Sequence, residues 1–173
     1  MNQKIEAAMN DQIQRELASA YIYLSMAAYF DTNTLPGFAN WMRMQFHEEQ
    51  AHAFKFFDFI FDRGGEVKLQ PIEGPPVEFS SPIEVFEKTL AHEQLVTGFI
   101  NDLYALALEE RDFASQSMLQ WFIDEQVEEE KNAGDILDQL KMIEGNAHAL
   151  LMLDRELGAR ALPTEVFSTG AEE

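Results

Sequence analysis

The sequence predicts an all-α fold: a four-helix bundle with one long crossover, plus a short fifth helix. Three observations carry this expectation. Apolar residues recur in alternating steps of four and three through four stretches of about 27 to 31 residues each, the pattern of helices that bury one face. Short turns separate the first stretch from the second and the third from the fourth, whereas a proline-bearing segment far too long for a turn separates the second from the third. Finally, 173 residues of which 46% are hydrophobic suffice for one substantial core, so residues 1–173 are read as a single domain.

The first helix is expected over 4–30, with Met9, Ile13, Glu16, Ala20, Tyr23, Ala27 and Phe30 along its inward seam. One acid stands among otherwise mostly apolar residues. Residues 31–37, Asp-Thr-Asn-Thr-Leu-Pro-Gly, read as a turn, so the second helix, 37–63, runs antiparallel to the first. Its seam is Phe38, Met42, Gln45, Glu49, His52, Phe56 and Phe59, which turns Glu49 and His52 inward, three residues apart on one face. Glu16 lies about 17 residues before the middle of the turn and the Glu49/His52 pair about 17 after it, so at roughly 1.5 Å per residue they share one level.

Gly64 and Gly65 close the second helix, and the segment 64–81 contains Pro71, Pro75 and Pro76. Extended at roughly 3.3 Å per residue it reaches about 60 Å, more than the roughly 40 Å length of the second helix. The second and third helices are therefore expected to be parallel. Ser81-Pro82-Ile83-Glu84 is a helix start, with an N-cap serine, proline in the first turn and an acid at the third position. The third helix, 82–111, has the seam Phe86, Leu90, Glu93, Thr97, Ile100, Tyr104 and Ala107. After a turn near 110–112, the fourth helix, 113–143, presents Ser115, Leu119, Phe122, Gln126, Glu129, Ala133, Ile136, Leu140 and Ile143. Glu93 and the Gln126/Glu129 pair lie within about one helical turn of the same depth. Gly145 ends this helix and Asn146 caps a fifth, 146–160, with Leu150, Leu153 and Leu157 on one side. A four-helix bundle does not need it, so it is expected to pack on another subunit or close one end. Residues 164–173 read as a loose acidic tail.

Charge and composition narrow the function. Twelve basic against 31 acidic residues give a formal charge of −19, which repels nucleic acid and anionic lipid and attracts cations. With no cysteine, any metal must be held by oxygen and imidazole. No signal-peptide core and no long apolar run is present, and a soluble cytoplasmic protein is expected.

Each of the four long helices thus brings polar groups to its seam at mid-height: Glu16, Glu49 with His52, Glu93, and Gln126 with Glu129. Buried carboxylates at one level repel one another, and either protonation or about two divalent cations must compensate. Four carboxylates and one imidazole suffice for two hard or borderline metals, with Glu49 central enough to bridge them. An oxygen-rich site favours iron by stabilising its ferric state, although spacing alone leaves manganese and zinc open. A metal-free helical scaffold and a diiron oxidase or peroxidase that does not store iron are the competing readings.

The strings His47-Glu48-Glu49-Gln50-Ala51-His52 and Gln120-Trp121-Phe122-Ile123-Asp124-Glu125-Gln126-Val127-Glu128-Glu129-Glu130 make the chain resemble a bacterial non-haem ferritin over about residues 4–160. The resemblance implies a ferritin-like bundle and a diiron ferroxidase centre. It assigns Glu16, Glu49 and His52 to one iron, and Glu49, Glu93 and Glu129 to the second, with Gln126 beside them. A third nearby iron site would map to Glu48, Glu125, Glu128 and Glu129. Tyr23 is placed to hydrogen-bond a ligand or to supply an electron. Related haem-binding ferritins carry a methionine where this chain has Gln50, and Glu-x-x-His where it has Gln126-x-x-Glu129, so no haem is expected. The implied substrates are Fe(II) with dioxygen or hydrogen peroxide, and the implied assembly is a hollow homo-oligomer of 24 subunits storing ferric mineral.

Overall fold

A computed structural model describes residues 1–161, and the tail expected over 164–173 lies outside the described residues. Its helices are α1 (Gln3–Thr32), α2 (Pro36–Asp62), α3 (Pro82–Glu109), α4 (Phe113–Met142) and α5 (Ala147–Leu157). An all-α architecture is what the seams predict; the starts at Pro82 and Phe113 fall where expected, and the other boundaries shift by one to three residues. The first turn is shorter than expected, because α1 continues to Thr32 and α2 begins at Pro36, which suits the first turn of a helix.

Caps explain most of the starts. Asn2 accepts from the backbone N–H groups of Lys4 and Ile5, Ser81 from Glu84, Asp112 from Ser115, and Asn146 from Ala149. In α2, Leu35 makes no such bond. A residue distant in sequence does so instead: Asp154 of α5 accepts at Oδ1 from Gly37 N (2.8 Å) and Phe38 N (3.0 Å). This contact docks α5 across the end of the bundle, closing it as one of the two expected placements required.

Side-chain contacts fix the helix directions. Glu16 faces His52 and Phe30 stacks on Phe38, so α1 and α2 are antiparallel. Ser19 meets His92 and Met26 meets Thr89, which makes α1 and α3 antiparallel as well. The second and third helices are therefore parallel, as the crossover length predicts. The crossover follows α1: Asn10 binds Glu66 O and Lys68 N, Gln70 binds Asp11, Ser25 donates to Pro76 O, and Phe79 packs on Tyr29.

Two apolar clusters fill the bundle. One, near the α1–α2 turn, contains Phe30, Phe38, Met42, Phe86 and Leu140; the other, at the far end, contains Ile5, Ile13, Phe56, Ile100 and Phe122. Between them, α1 contributes Glu16 and Ser19, α2 Gln45, Glu49 and His52, α3 Thr89 and Glu93, and α4 Gln126 and Glu129, all buried. A polar storey thus separates two greasy ones. The expected seams of α1 and α4 are buried almost throughout, Ile143 being half-buried. On α2, Phe59 is half-buried while Ile60 is buried. In α3, Leu90, Thr97 and Tyr104 are half-buried, and the neighbouring Thr89, Val96 and Leu103 take the fully buried positions. That helix is rotated slightly toward its flank. No helix among the described residues is long and apolar enough to cross a membrane.

Candidate metal centre

Glu49 and His52 project from one face of α2 into the polar storey because they continue the row that buries Phe38, Met42 and Phe56. Across from them, α1 supplies Glu16. His52 Nδ1 lies 3.4 Å from Glu49 Oε2 and 3.9 Å from Glu16 Oε2, and these ligand atoms converge within 4.8 Å of one another. Both of those oxygens, Glu16 Oε2 and Glu49 Oε2, are buried without a hydrogen-bond donor. An acceptor left bare in a dry interior costs several kcal/mol, so the trio has the chemistry of a cation site.

The remaining carboxylates are held by neutral donors. Gln12 donates to Glu16 Oε1 (2.8 Å), and Gln45 donates to Glu129 Oε2 (2.8 Å). Tyr23 donates its hydroxyl to Glu93 Oε1, and Gln126 Nε2 lies 3.3 Å from Glu93 Oε2 and 3.2 Å from Glu93 O. Glu49, Glu93 and Glu129 are buried together yet do not converge on one point as Glu16, Glu49 and His52 do. Their hydrogen bonds to Tyr23, Gln126 and Gln45 turn two of them aside.

Electrostatics follow from burial. Glu49 is held well above the usual carboxylate range by desolvation, then by the charges of Glu93 and Glu16. Burial pushes Glu93 up to about 7 against the pull of the Tyr23 and Gln126 hydrogen bonds, and burial with the charge of Glu93 pushes Glu129 up to about 8. The Tyr23 phenol is likewise raised, by burial first and the surrounding acids second. Burial and mutual repulsion thus both favour the protonated forms of these acids when no cation is present.

Beside this group a cavity of about 270 Å³ is lined by Glu48, His52, Glu125, Glu128, Glu129 and Arg160, among others. His52, Glu125 and Glu129 converge there within 4.8 Å. Of the four acids assigned by resemblance to a third site, Glu125 and Glu129 join this group, Glu128 lines the wall, and Glu48 is turned to Arg160. Burial raises Glu48, with Arg160 opposing, and burial raises Glu125.

Sequence reasoning did not assign roles to Gln12, Gln45 and Arg160. The two glutamines could have been found, since each stands four residues before a predicted ligand on the same helix face. Arg160 had no local signal. His92, which lies off the seam and reads as a surface or interface residue, is half-buried with Nε2 2.7 Å from Ser19 Oγ. Trp121 sits edge-on to His52 at 5.5 Å and packs on Phe122.

A family model described as a ferritin-like domain matches residues 6–143. The chain is 37% identical over 165 residues to the bacterial non-heme ferritin of Staphylococcus aureus strain USA300, covering 95% of this chain and 99% of the relative. It is 40% identical over 161 residues to that of Staphylococcus epidermidis strain RP62A, covering 93% and 97%. Among solved structures, an open-pore ferritin from the hyperthermophilic archaeon Archaeoglobus fulgidus superposes with a TM-score of 0.92 at 50% identity, over 93% of this chain and 99% of that one. A closed form engineered from the Archaeoglobus fulgidus ferritin matches with a TM-score of 0.93, also at 50% identity, over 94% and 99%.

Proposed function

The chain belongs to the ferritin family and stores iron, and on that premise we propose that its polar storey is a ferroxidase centre whose substrate is Fe(II). Glu16 Oε2, Glu49 Oε2 and His52 Nδ1 receive one ion. Glu49, shared, together with Glu93 and Glu129 receives the second, with Gln126 and Tyr23 orienting Glu93. The observation that carries this reading is the pair of donorless buried oxygens beside one imidazole nitrogen.

The chain's contribution is positional and electrostatic. Two Fe(II) lose one electron each, and dioxygen accepts both and, with two protons, leaves as hydrogen peroxide. With peroxide as oxidant, two electrons and two protons yield two waters. Glu93 and Glu129 give up their protons as Fe(II) enters, which keeps the charge of the loaded centre low. The apolar storeys above and below exclude bulk water. Ferric product leaves past His52, Glu125 and Glu129, with Glu48 and Glu128 at the rim of that path, toward a mineral core enclosed by 24 copies of the chain in the cytoplasm.

Anaerobic Fe(II) titration followed by oxygen, with particle mass measured in parallel, tests the reading. Two Fe(II) per subunit should saturate the fast oxidation, in a particle many times the 19.8 kDa chain mass. A monomer-sized or dimer-sized species would remove storage in a shell, and oxidation no faster than in buffer would remove the ferroxidase centre.

A further inference from the structure

We propose that Arg160 is a built-in counter-ion of the cavity beside the centre: its guanidinium occupies Glu48, and a third divalent cation binds with Glu48 only in competition with it. The inference rests on the reading of the neighbouring centre as a metal site. It concerns how many ions that site admits tightly and what sets the number.

Three observations carry it. Arg160 is fixed rather than drifting: its backbone N–H bonds Leu157 O, and its own carbonyl accepts from Asn40 Nδ2 at 3.0 Å, which ties the segment after α5 to α2. From there the guanidinium reaches inward, over the Trp41 ring at 4.8 Å, and forks. Nη1 donates to Gln45 Oε1 at 2.5 Å, and Nη2 to Glu48 Oε2 at 2.6 Å. The ion pair is shielded, with side-chain exposures of 23% for Arg160 and 8% for Glu48, so it is not the weak surface kind.

The second observation is what the pair does to the cavity. Four acids and His52 face that space, yet the group that converges is His52, Glu125 and Glu129, without Glu48. Arg160 holds the missing carboxylate. Lys55 also lines the cavity, but its Nζ lies 3.9 Å from the Trp121 ring centroid, leaving Arg160 as the cation paired with Glu48.

The third is chemical. Guanidinium stays charged across the working pH range, so only displacement, never deprotonation, frees Glu48. An entering divalent ion must break a charge-assisted hydrogen bond and meet a fixed charge of its own sign. The position is thereby held weaker than the paired sites at Glu16, Glu49 and His52.

Zn(II), which does not change oxidation state, reads this directly by equilibrium dialysis and calorimetry on the assembled protein. The wild type should bind two ions tightly and a third more weakly. Arg160→Gln should tighten the third ion about tenfold or more relative to the first two. Arg160→Lys keeps the charge but loses the fork, so it should fall between wild type and Arg160→Gln; it carries the test alone if Arg160→Gln does not assemble. In a Glu48→Gln background, Arg160→Gln should add nothing, because the contested carboxylate is gone. The proposal is overturned if third-ion affinity is indifferent to residue 160, or if Arg160→Gln tightens it equally in the Glu48→Gln background. If the first two ions do not bind at all, the metal centre itself is refuted; if they bind and only the third ignores residue 160, this inference alone fails.

Discussion

Asp154 Oδ1 accepts hydrogen bonds from Gly37 N and Phe38 N, so a side chain of the fifth helix caps the second helix from more than a hundred residues away. Gly37 has no alternative here, since a Cβ at that position would lie 1.6 Å from Asp154 O. Asp154→Ala leaves two buried amides without acceptors and should cost about 1–2 kcal/mol, the usual worth of an N-cap. Asp154→Asn keeps an acceptor oxygen and should lose less. Gly37→Ala, which pushes backbone against backbone, should be the most damaging. Urea denaturation of the three variants checks the order.

The acids of the polar storey make the stability of the metal-free protein pH-dependent. Glu93 near 7 and Glu129 near 8 lie above the ordinary unfolded value of about 4.3, so between these limits the folded chain holds more protons than the unfolded one. Their contribution is complete below about 4.3 and disappears as pH rises through 7 and 8. Metal-free protein should therefore unfold at lower urea at pH 8.5 than at pH 6, and Glu129→Gln should flatten the difference. Zn(II) binding at pH 6.5 should release protons, and release should shrink toward pH 9; calorimetry in buffers of differing ionisation enthalpy measures it.

Tyr23 holds Glu93 through its hydroxyl and lowers that acid's affinity for a proton. In Tyr23→Phe, Glu93 should keep its proton to higher pH, and the pH midpoint for Zn(II) binding should move upward with little change in the limiting affinity at high pH. Unchanged midpoints would mean that the hydroxyl does not set the proton affinity of Glu93.

Gln45 is oriented by its two partners: Arg160 donates to its Oε1, which leaves Nε2 for Glu129. Replacing it with leucine keeps the volume and deletes the donor. Loss of such a supporting group typically costs 10–100-fold in metal affinity or activity, and the initial rate of Fe(II) oxidation should fall within that range.

Much of the bundle was legible from spacing, because on a long amphipathic helix a four-three count identifies the buried face and turn lengths identify depth. Glu16, Glu49, His52, Glu93, Gln126 and Glu129 lie on such counts, and all six are buried in the same storey. Other features were not legible because they depend on pairs remote in sequence. Glu48 sits off the seam, and its ion pair with Arg160 joins residues more than a hundred apart in the chain. The α2 cap required Asp154, and no local pattern could specify that α5 would fold back onto Gly37. Helical register fixes where the carboxylates of Glu93 and Glu129 start, whereas Tyr23, Gln126 and Gln45 decide which way their oxygens turn, and no spacing in the sequence specifies those partners.

The crossover that binds Asp11 through Gln70 and Ser25 through Pro76 has a consequence for length variation. Fourteen helical residues rise about 21 Å, and the six-residue step beside them reaches at most about 20–22 Å. The backbone alone only just covers that rise, and the side chains of Gln70, Asp11 and Ser25 supply the slack. Shortening 71–75 uses up that side-chain reach and then forces an anchor to let go, while an added residue could bow outward at little cost. Natural or engineered variation in this stretch should therefore be one-sided: longer versions tolerated, shorter ones not.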